Sequence, residues 1–233
     1  MDRDTALVTG ANKGIGKEIA RQLAAAGLTV LLGSRDAERG QAAVDEIGGD
    51  ARLLVLDVTD GDSITRAASG VHRLDILVNN AGIMVSSAAP AEASVAEFRR
   101  TYETNLFGVL AVTNAFLPAL HRSARPRIVN ISSGTASLGE GSKAGTGGTG
   151  GAAAYRSSKA ALNALTVYYA QSLPGFKVNA LAPGLRRTDL NERAAGSDGD
   201  PAEAAAAAVR LALLDDDGPS GAFLDWEGSP VPW

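Results

Sequence analysis

The chain has 233 residues, 45% hydrophobic and 21% charged, a balance that excludes a wholly disordered chain, a collagen-like chain and a coiled coil. It contains no cysteine, which excludes a disulfide scaffold, a thiol nucleophile and a zinc–thiolate site, and fits a reducing compartment. The net charge of −4 gives no general basis for nucleic-acid binding, and no apolar run reaches the roughly 18 residues of a membrane span.

Thr5–Val8 is a short apolar run that predicts a first strand. From Ile15 the period turns helical, through Ile15, Ile19, Leu23 and Ala26, and Gly27 closes that helix. Leu28–Leu32 is the next strand, and Asp36–Ile47 a helix closed by Gly48 and Gly49. A third strand at Leu53–Leu56 precedes a short helix from Ser63 to Ala68, and Leu74–Val78 is the fourth strand. Ser94–Leu120 reads as mostly helical, with Pro118 near its end. Arg127–Ile131 is a strand, Ala152–Leu173 a long helix, Lys177–Leu181 a strand, Ala202–Leu214 a helix and Gly221–Trp226 a last strand.

This alternation predicts parallel βαβ units. The strands are continuous apolar runs, as expected where helices cover both faces of a parallel sheet. The expectation is a single doubly wound α/β domain of Rossmann type over residues 1–233, with a mostly or wholly parallel sheet flanked by helices. Periodicity does not set the strand order. Residues 139–151 carry seven glycines and read as a mobile loop, either a neutral insertion or an adaptable flap. Residues 189–200 read as a second, substrate-side loop. His72 and His121 stand far apart without carboxylate spacing, so no metal site is expected. The start, MDRDTALVTG, has no long apolar stretch, so no signal peptide and a cytoplasmic location are expected.

The first strand runs into Thr9-Gly10-Ala11-Asn12-Lys13-Gly14-Ile15-Gly16 and then a helix. Glycine permits a tight turn and close backbone approach to a pyrophosphate, and the helix offers free N–H groups and its positive dipole end. Gly10, Asn12, Lys13, Gly14, Ile15 and Gly16 are therefore candidate cofactor-binding residues. At the end of the second strand a carboxylate would select the ribose 2′-hydroxyl of NAD. The chain has Gly33-Ser34-Arg35 there instead. Arg35 pairs well with a 2′-phosphate, and Lys13 adds a second cation, so the cofactor expected is NADP(H). Asp36 comes one residue late and reads as a helix cap.

Tyr155 and Lys159 stand four apart on a predicted helix, hence on one face. A free tyrosine ionises near pH 10, and a neighbouring cation lowers that value, which makes the pair a workable general acid/base. Ser132 and Ser133 follow the fifth strand, where parallel sheets line their ligand crevice. There is no G-x-S-x-G and no histidine in a triad context, against a serine hydrolase.

Taken together, TGANKGIG at 9–16, Asp57-Val58, NNAG at 79–82, Asn105 in TNLFG, ISS at 131–133, YRSSK at 155–159, APG at 182–184 and Thr188 resemble the short-chain dehydrogenase/reductases in their compact, carbonyl-reductase-like form. The resemblance implies that Gly10, Gly14 and Gly16 shape the pyrophosphate turn and that Asp57 accepts from the adenine amino group beside Val58. Asn80, Ala81 and Gly82 would support the adenosine side. Ser133, preferred over Ser132, would polarise a substrate carbonyl that Tyr155 protonates. Lys159 would bind the nicotinamide ribose and lower the tyrosine pKa, and Asn105 would hold a water linking Lys159 to solvent. Pro183, Gly184, Leu185 and Thr188 would hold the carboxamide, and Met84, Leu138, Leu185 and Leu190 would supply an apolar lining. One departure is the 22-residue separation of Ser133 and Tyr155, longer than in many members of the family.

The expected activity is NADPH-dependent reduction of a small ketone or aldehyde, with alcohol oxidation as the reverse. The alternatives are an NAD-dependent alcohol dehydrogenase and a non-catalytic NADP-binding redox sensor. Partners expected are a small-molecule carbonyl or alcohol, with no nucleic acid and no membrane. Monomer and homo-oligomer both stay open.

Overall fold

The computed structural model describes residues 3–142 and 150–233. Most of the glycine-rich segment, residues 143–149, lies outside them. The strands are β1 (Thr5–Thr9), β2 (Thr29–Ser34), β3 (Ala51–Val55), β4 (Ile76–Asn79), β5 (Arg127–Ile131), β6 (Lys177–Ala182) and β7 (Phe223–Asp225). They form one parallel sheet in the order β3-β2-β1-β4-β5-β6-β7. The order reverses between β1 and β4, so the crevice beyond their carboxyl ends is the topological switch point where ligands of such sheets bind.

The helices are α1 (Gly14–Ala25), α2 (Ala37–Ile47), α3 (Gly61–Ser69), α4 (Val95–Tyr102), α5 (Gly108–Leu120), α6 (Leu138–Gly141), α7 (Ala153–Ser172), α8 (Glu192–Ala195) and α9 (Pro201–Ala212). The continuous apolar strands serve both sheet faces. Ala6 and Val8 turn to a core shared with Ile19, Leu23, Ala208 and Leu211. Leu7 turns to the opposite core, with Ile64, Phe116, Leu120 and Tyr169. Such alternation of buried contacts requires apolar residues at every position.

Three local features depart from the predicted elements. Residues 94–120 are not one helix. Ser94 opens α4 with a capping box to Glu97, and a π-helical turn over Glu103–Phe107 then separates α4 from α5. The segment after β5 contains a 3₁₀ turn, Gly134–Ala136, and the short α6. The polar stretch 189–200 holds the single turn α8, capped by Asn191, whose side chain accepts from the Ala194 N–H. These are short, cap-driven elements with too few apolar residues to show a period.

Candidate active site

The glycine turn sits at the carboxyl end of β1 and is clamped to β4. The Thr9 hydroxyl accepts from the backbone N–H of Asn80 and of Ala81, both at 3.0 Å. The Asn80 amide donates to the carbonyls of Thr9 at 2.9 Å and Gly10 at 3.2 Å. Asn80 thus acts here as a staple between two strand ends. Gly10 has φ +62°, and a Cβ there would stand 2.9 Å from the Ala81 Cα. Lys13 occupies the N-cap of α1, and no side-chain hydrogen bond caps the first N–H groups of that helix. An anion-binding N-terminus fits a pyrophosphate.

The catalytic candidates meet at the end of β5. Ser132 is buried and donates to Asn163 Oδ1 at 2.6 Å, so it belongs to the interior. Ser133 is partly exposed, hydrogen-bonds Tyr155 and shares a 2.8 Å hydrogen bond with the Thr135 hydroxyl. Ser133 and not Ser132 thus lies beside Tyr155, although 22 residues separate the two along the chain. Lys159 is buried, donates to the Ile131 carbonyl at 2.7 Å and lies 5.9 Å from the centroid of the Tyr155 ring. Burial pushes the Lys159 ammonium down to about 8.

Burial also raises the Tyr155 phenol above its usual value, against a smaller lowering by the Ser133 hydrogen bond. This corrects the expectation that Lys159 draws the tyrosine down, because desolvation is the largest contribution at this phenol.

Asn105 lies in the π-helical turn and is fully buried. Its Oδ1 accepts from the Ile83 N–H at 2.8 Å, and its Nδ2 donates to the Ile83 carbonyl at 2.9 Å and to Ser158 Oγ at 3.0 Å. A Cβ on Gly82 would stand 3.4 Å from both Asn105 Oδ1 and Lys159 Nζ, so glycine leaves room for both side chains. An inserted residue in a helix turns a side chain inward that regular spacing would place elsewhere.

The phosphate end is open and ionic. A cleft of about 290 Å³ is lined by Asn12, Lys13, Lys17, Arg39, Ala42, Ala43, Glu46 and Asp189. Lys13 pairs with Asp189, Lys17 with Glu46 at 2.8 Å, and Arg39 with Asp36 at 3.3 Å. Arg35 is exposed and has no ion-pair partner among the described residues. Ser34 is buried and its hydroxyl donates to the Asp36 carbonyl at 2.7 Å. Arg39 was not among the residues singled out from sequence; it stands in the first turn of α2, three residues after the Asp36 cap, and only the fold brings it beside Lys13. Ile15 packs against the α1 side of the core.

Asp57 Oδ1 accepts from the Thr59 N–H at 2.9 Å and hydroxyl at 2.8 Å, so it orders its own turn, while Asp60 caps α3. Val58 packs partly into the core beside α5. Across the cleft, Pro183 is buried, Gly184 turns at φ +71°, Leu185 is exposed, and a Cβ on Gly14 would touch the Thr188 methyl at 3.4 Å. Asn191 Nδ2 contacts Met84 Sδ at 3.1 Å. Residues 188–191 thereby cross from the end of β6 to the glycine turn and to the segment after β4. Leu190 is half-buried within this crossing, whereas Leu138, expected in the same apolar lining, is exposed and lines a different groove with Ala160, Val167, Tyr168 and Trp233.

The model of the family described as short chain dehydrogenase matches residues 4–198. The chain belongs to the short-chain dehydrogenase family. As a short-chain dehydrogenase it is 36% identical to a salutaridine reductase of Papaver bracteatum, with 94% of this chain and 93% of that protein covered. It is 36% identical to a (+)-neomenthol dehydrogenase of Arabidopsis thaliana, with 94% and 95% covered. Among solved structures it resembles an NADPH-bound carbonyl reductase from chicken fatty liver, with TM-score 0.85, 30% identity and all of both chains covered. It also resembles the salutaridine reductase of Papaver somniferum, with TM-score 0.81, 32% identity and 95% and 99% covered. These matches make this short-chain dehydrogenase an oxidoreductase by family. Among the described residues, no helix is long and apolar enough to cross a membrane.

Proposed function

We propose that the protein reduces a ketone or aldehyde with NADPH, the same groups serving the reverse oxidation. The observation that carries this reading is the convergence of Ser133, Tyr155 and Lys159 at the open end of β5, beside a glycine turn fit for a pyrophosphate. The named activities of the four relatives, three of them reductases, support it. Lys13, Arg35 and Arg39 supply the cationic groups a 2′-phosphate needs, which favours NADP(H) over NAD(H).

In this reading the Ser133 hydroxyl donates to the substrate carbonyl oxygen and fixes it beside Tyr155. The buried phenol carries its proton at neutral pH because desolvation disfavours phenolate, so it can act as general acid. Lys159 would hold the nicotinamide ribose and offset the negative charge that develops on Tyr155 as the proton leaves. The bound cofactor supplies the hydride to the carbonyl carbon. Asn105 positions the backbone of Ile83 and the Ser158 side chain around Lys159. Residues 188–191 would exclude water from the mouth.

The test follows oxidation of NADPH and NADH in parallel over a panel of ketones, aldehydes and quinones. Turnover should prefer NADPH, and Tyr155→Phe should lower kcat about 10³-fold, within the range for loss of a positioned general acid. Full activity in Tyr155→Phe would overturn the assignment of the proton donor. Tight NADPH binding without turnover would favour a binding protein.

A further inference from the structure

Arg186 is a cation for which the chemistry above has no use. It is only 7% exposed, and its Nε and Nη2 have no hydrogen-bond partner. Its guanidinium lies over the Trp226 ring, with Cζ 4.2 Å from the centroid. Nη1 donates to the Leu185 carbonyl at 3.3 Å, and Nη2 faces Glu203 of α9 at 3.5 Å. A buried guanidinium whose Nε is unpaired and whose Nη2 has only a long ion pair to Glu203 is costly, and an apolar side chain of similar size would fill the space more cheaply. Its neighbours indicate what it does.

Gly184 turns under it, since a Cβ there would stand 3.1 Å from Trp226 Cδ1 and 3.5 Å from Arg186 Cζ. On the far side, a Cβ on Gly199 would stand 3.0 Å from Nη1. The Arg187 N–H closes the same loop onto the Gly199 carbonyl at 2.8 Å. The guanidinium is thus a wedge whose planar face meets Trp226 and whose edge meets α9. A planar group fills such a slot, whereas a flexible ammonium does not.

We propose that Arg186 is a positioning residue for the nicotinamide end of the cofactor site, holding the Pro183–Thr188 turn against Trp226 and α9. What occupies that turn rests on the NADP(H) reading above. Arg186 touches neither substrate nor cofactor in this assignment. It sets the backbone that does.

The experiment is calorimetric titration of wild type, Arg186→Met and Arg186→Lys with two ligands. One is NADP⁺. The other is adenosine 2′,5′-bisphosphate, which contacts the phosphate end but has no nicotinamide. Arg186→Met should weaken NADP⁺ about tenfold, a loss of about 1.4 kcal/mol, and change the bisphosphate less than about twofold. Arg186→Lys keeps the charge but loses the planar stack, and should behave like Arg186→Met. It also serves if the Met variant fails to fold. Equal weakening of both ligands would mean a general structural role and overturn the proposal, as would no weakening of either. If wild type binds NAD⁺ and not the bisphosphate, the NADP(H) reading fails by itself. The ratio of NAD⁺ to 5′-AMP affinities then decides on Arg186 in the same way.

Discussion

The two ends of the cleft are built on opposite electrostatics. Around Tyr155 and Lys159 the polar groups are buried or half-buried, and desolvation is the largest contribution to the pKa shifts of both residues. Around Lys13, Arg35 and Arg39 the cations are exposed and mostly paired with carboxylates. Burial strengthens each interaction and makes every unsatisfied group expensive. Exposure costs little in stability but leaves the interaction weak and screened by salt. One end therefore suits chemistry and the other suits recognition of a strong anion.

The largest effect should come from the buried ammonium. Lys159 is held down to about 8 in the folded chain, against 10.5 when free. Between those values the unfolded chain binds more protons, so stability rises with pH through this window. Below it, the buried charge costs up to about 3 kcal/mol. Denaturant titrations should find Lys159→Met gaining on wild type by up to about that amount at pH 7, with the gain gone by about pH 11. A difference that does not move with pH would mean that Lys159 is not a buried cation.

Asn105→Ala probes the same end without altering a charge. It strips partners from Ile83 N–H, Ile83 C=O and Ser158. The expected loss is about 2–3 kcal/mol of stability, read as a lower denaturation midpoint at an unchanged slope.

Arg35→Asp addresses the exposed end. It should shift the preference for NADPH over NADH about tenfold towards NADH while leaving stability nearly unchanged. Raising the ionic strength should weaken NADPH binding in wild type more than in the variant. An unchanged preference would remove Arg35 from the phosphate site.

The smallest effect concerns the entry to α7, where Ala152 sits at φ +57°, the only described non-glycine residue with positive φ. Ala152→Gly should stabilise the chain by about 1 kcal/mol, because an L side chain is strained in that region. A thermal melt would show this as a higher Tm, and no gain would mean that the backbone relaxes there.

Much of this architecture was legible beforehand. The apolar runs of β1, β4, β5 and β6 mark a sheet covered on both faces, and the change of period at Ile15 marks the first helix. Asp36, read as a cap, accepts from the Arg39 N–H at the start of α2. Less legible were elements made by a few polar residues. The π-helical turn at Glu103–Phe107 breaks a pattern that continues helically on either side, and the 3₁₀ turn after Ser133 depends on a hydroxyl cap. The direction of the Tyr155 shift was also misread, since the i,i+4 spacing announces Lys159 but is silent on how dry the pair is.

Local chemistry in the sequence determined the parallel βαβ order, the glycine turn, the Tyr155–Lys159 spacing and the cations at Lys13 and Arg35. Each is encoded by neighbours along the chain. Only tertiary structure decided that Ser133 and not Ser132 meets Tyr155, that Arg39 and Asp189 enter the phosphate cleft, and that Arg186 lies buried on Trp226. Those outcomes depend on which surfaces meet across the sheet and on how much water their meeting removes, and neither quantity is a property of a residue and its sequence neighbours.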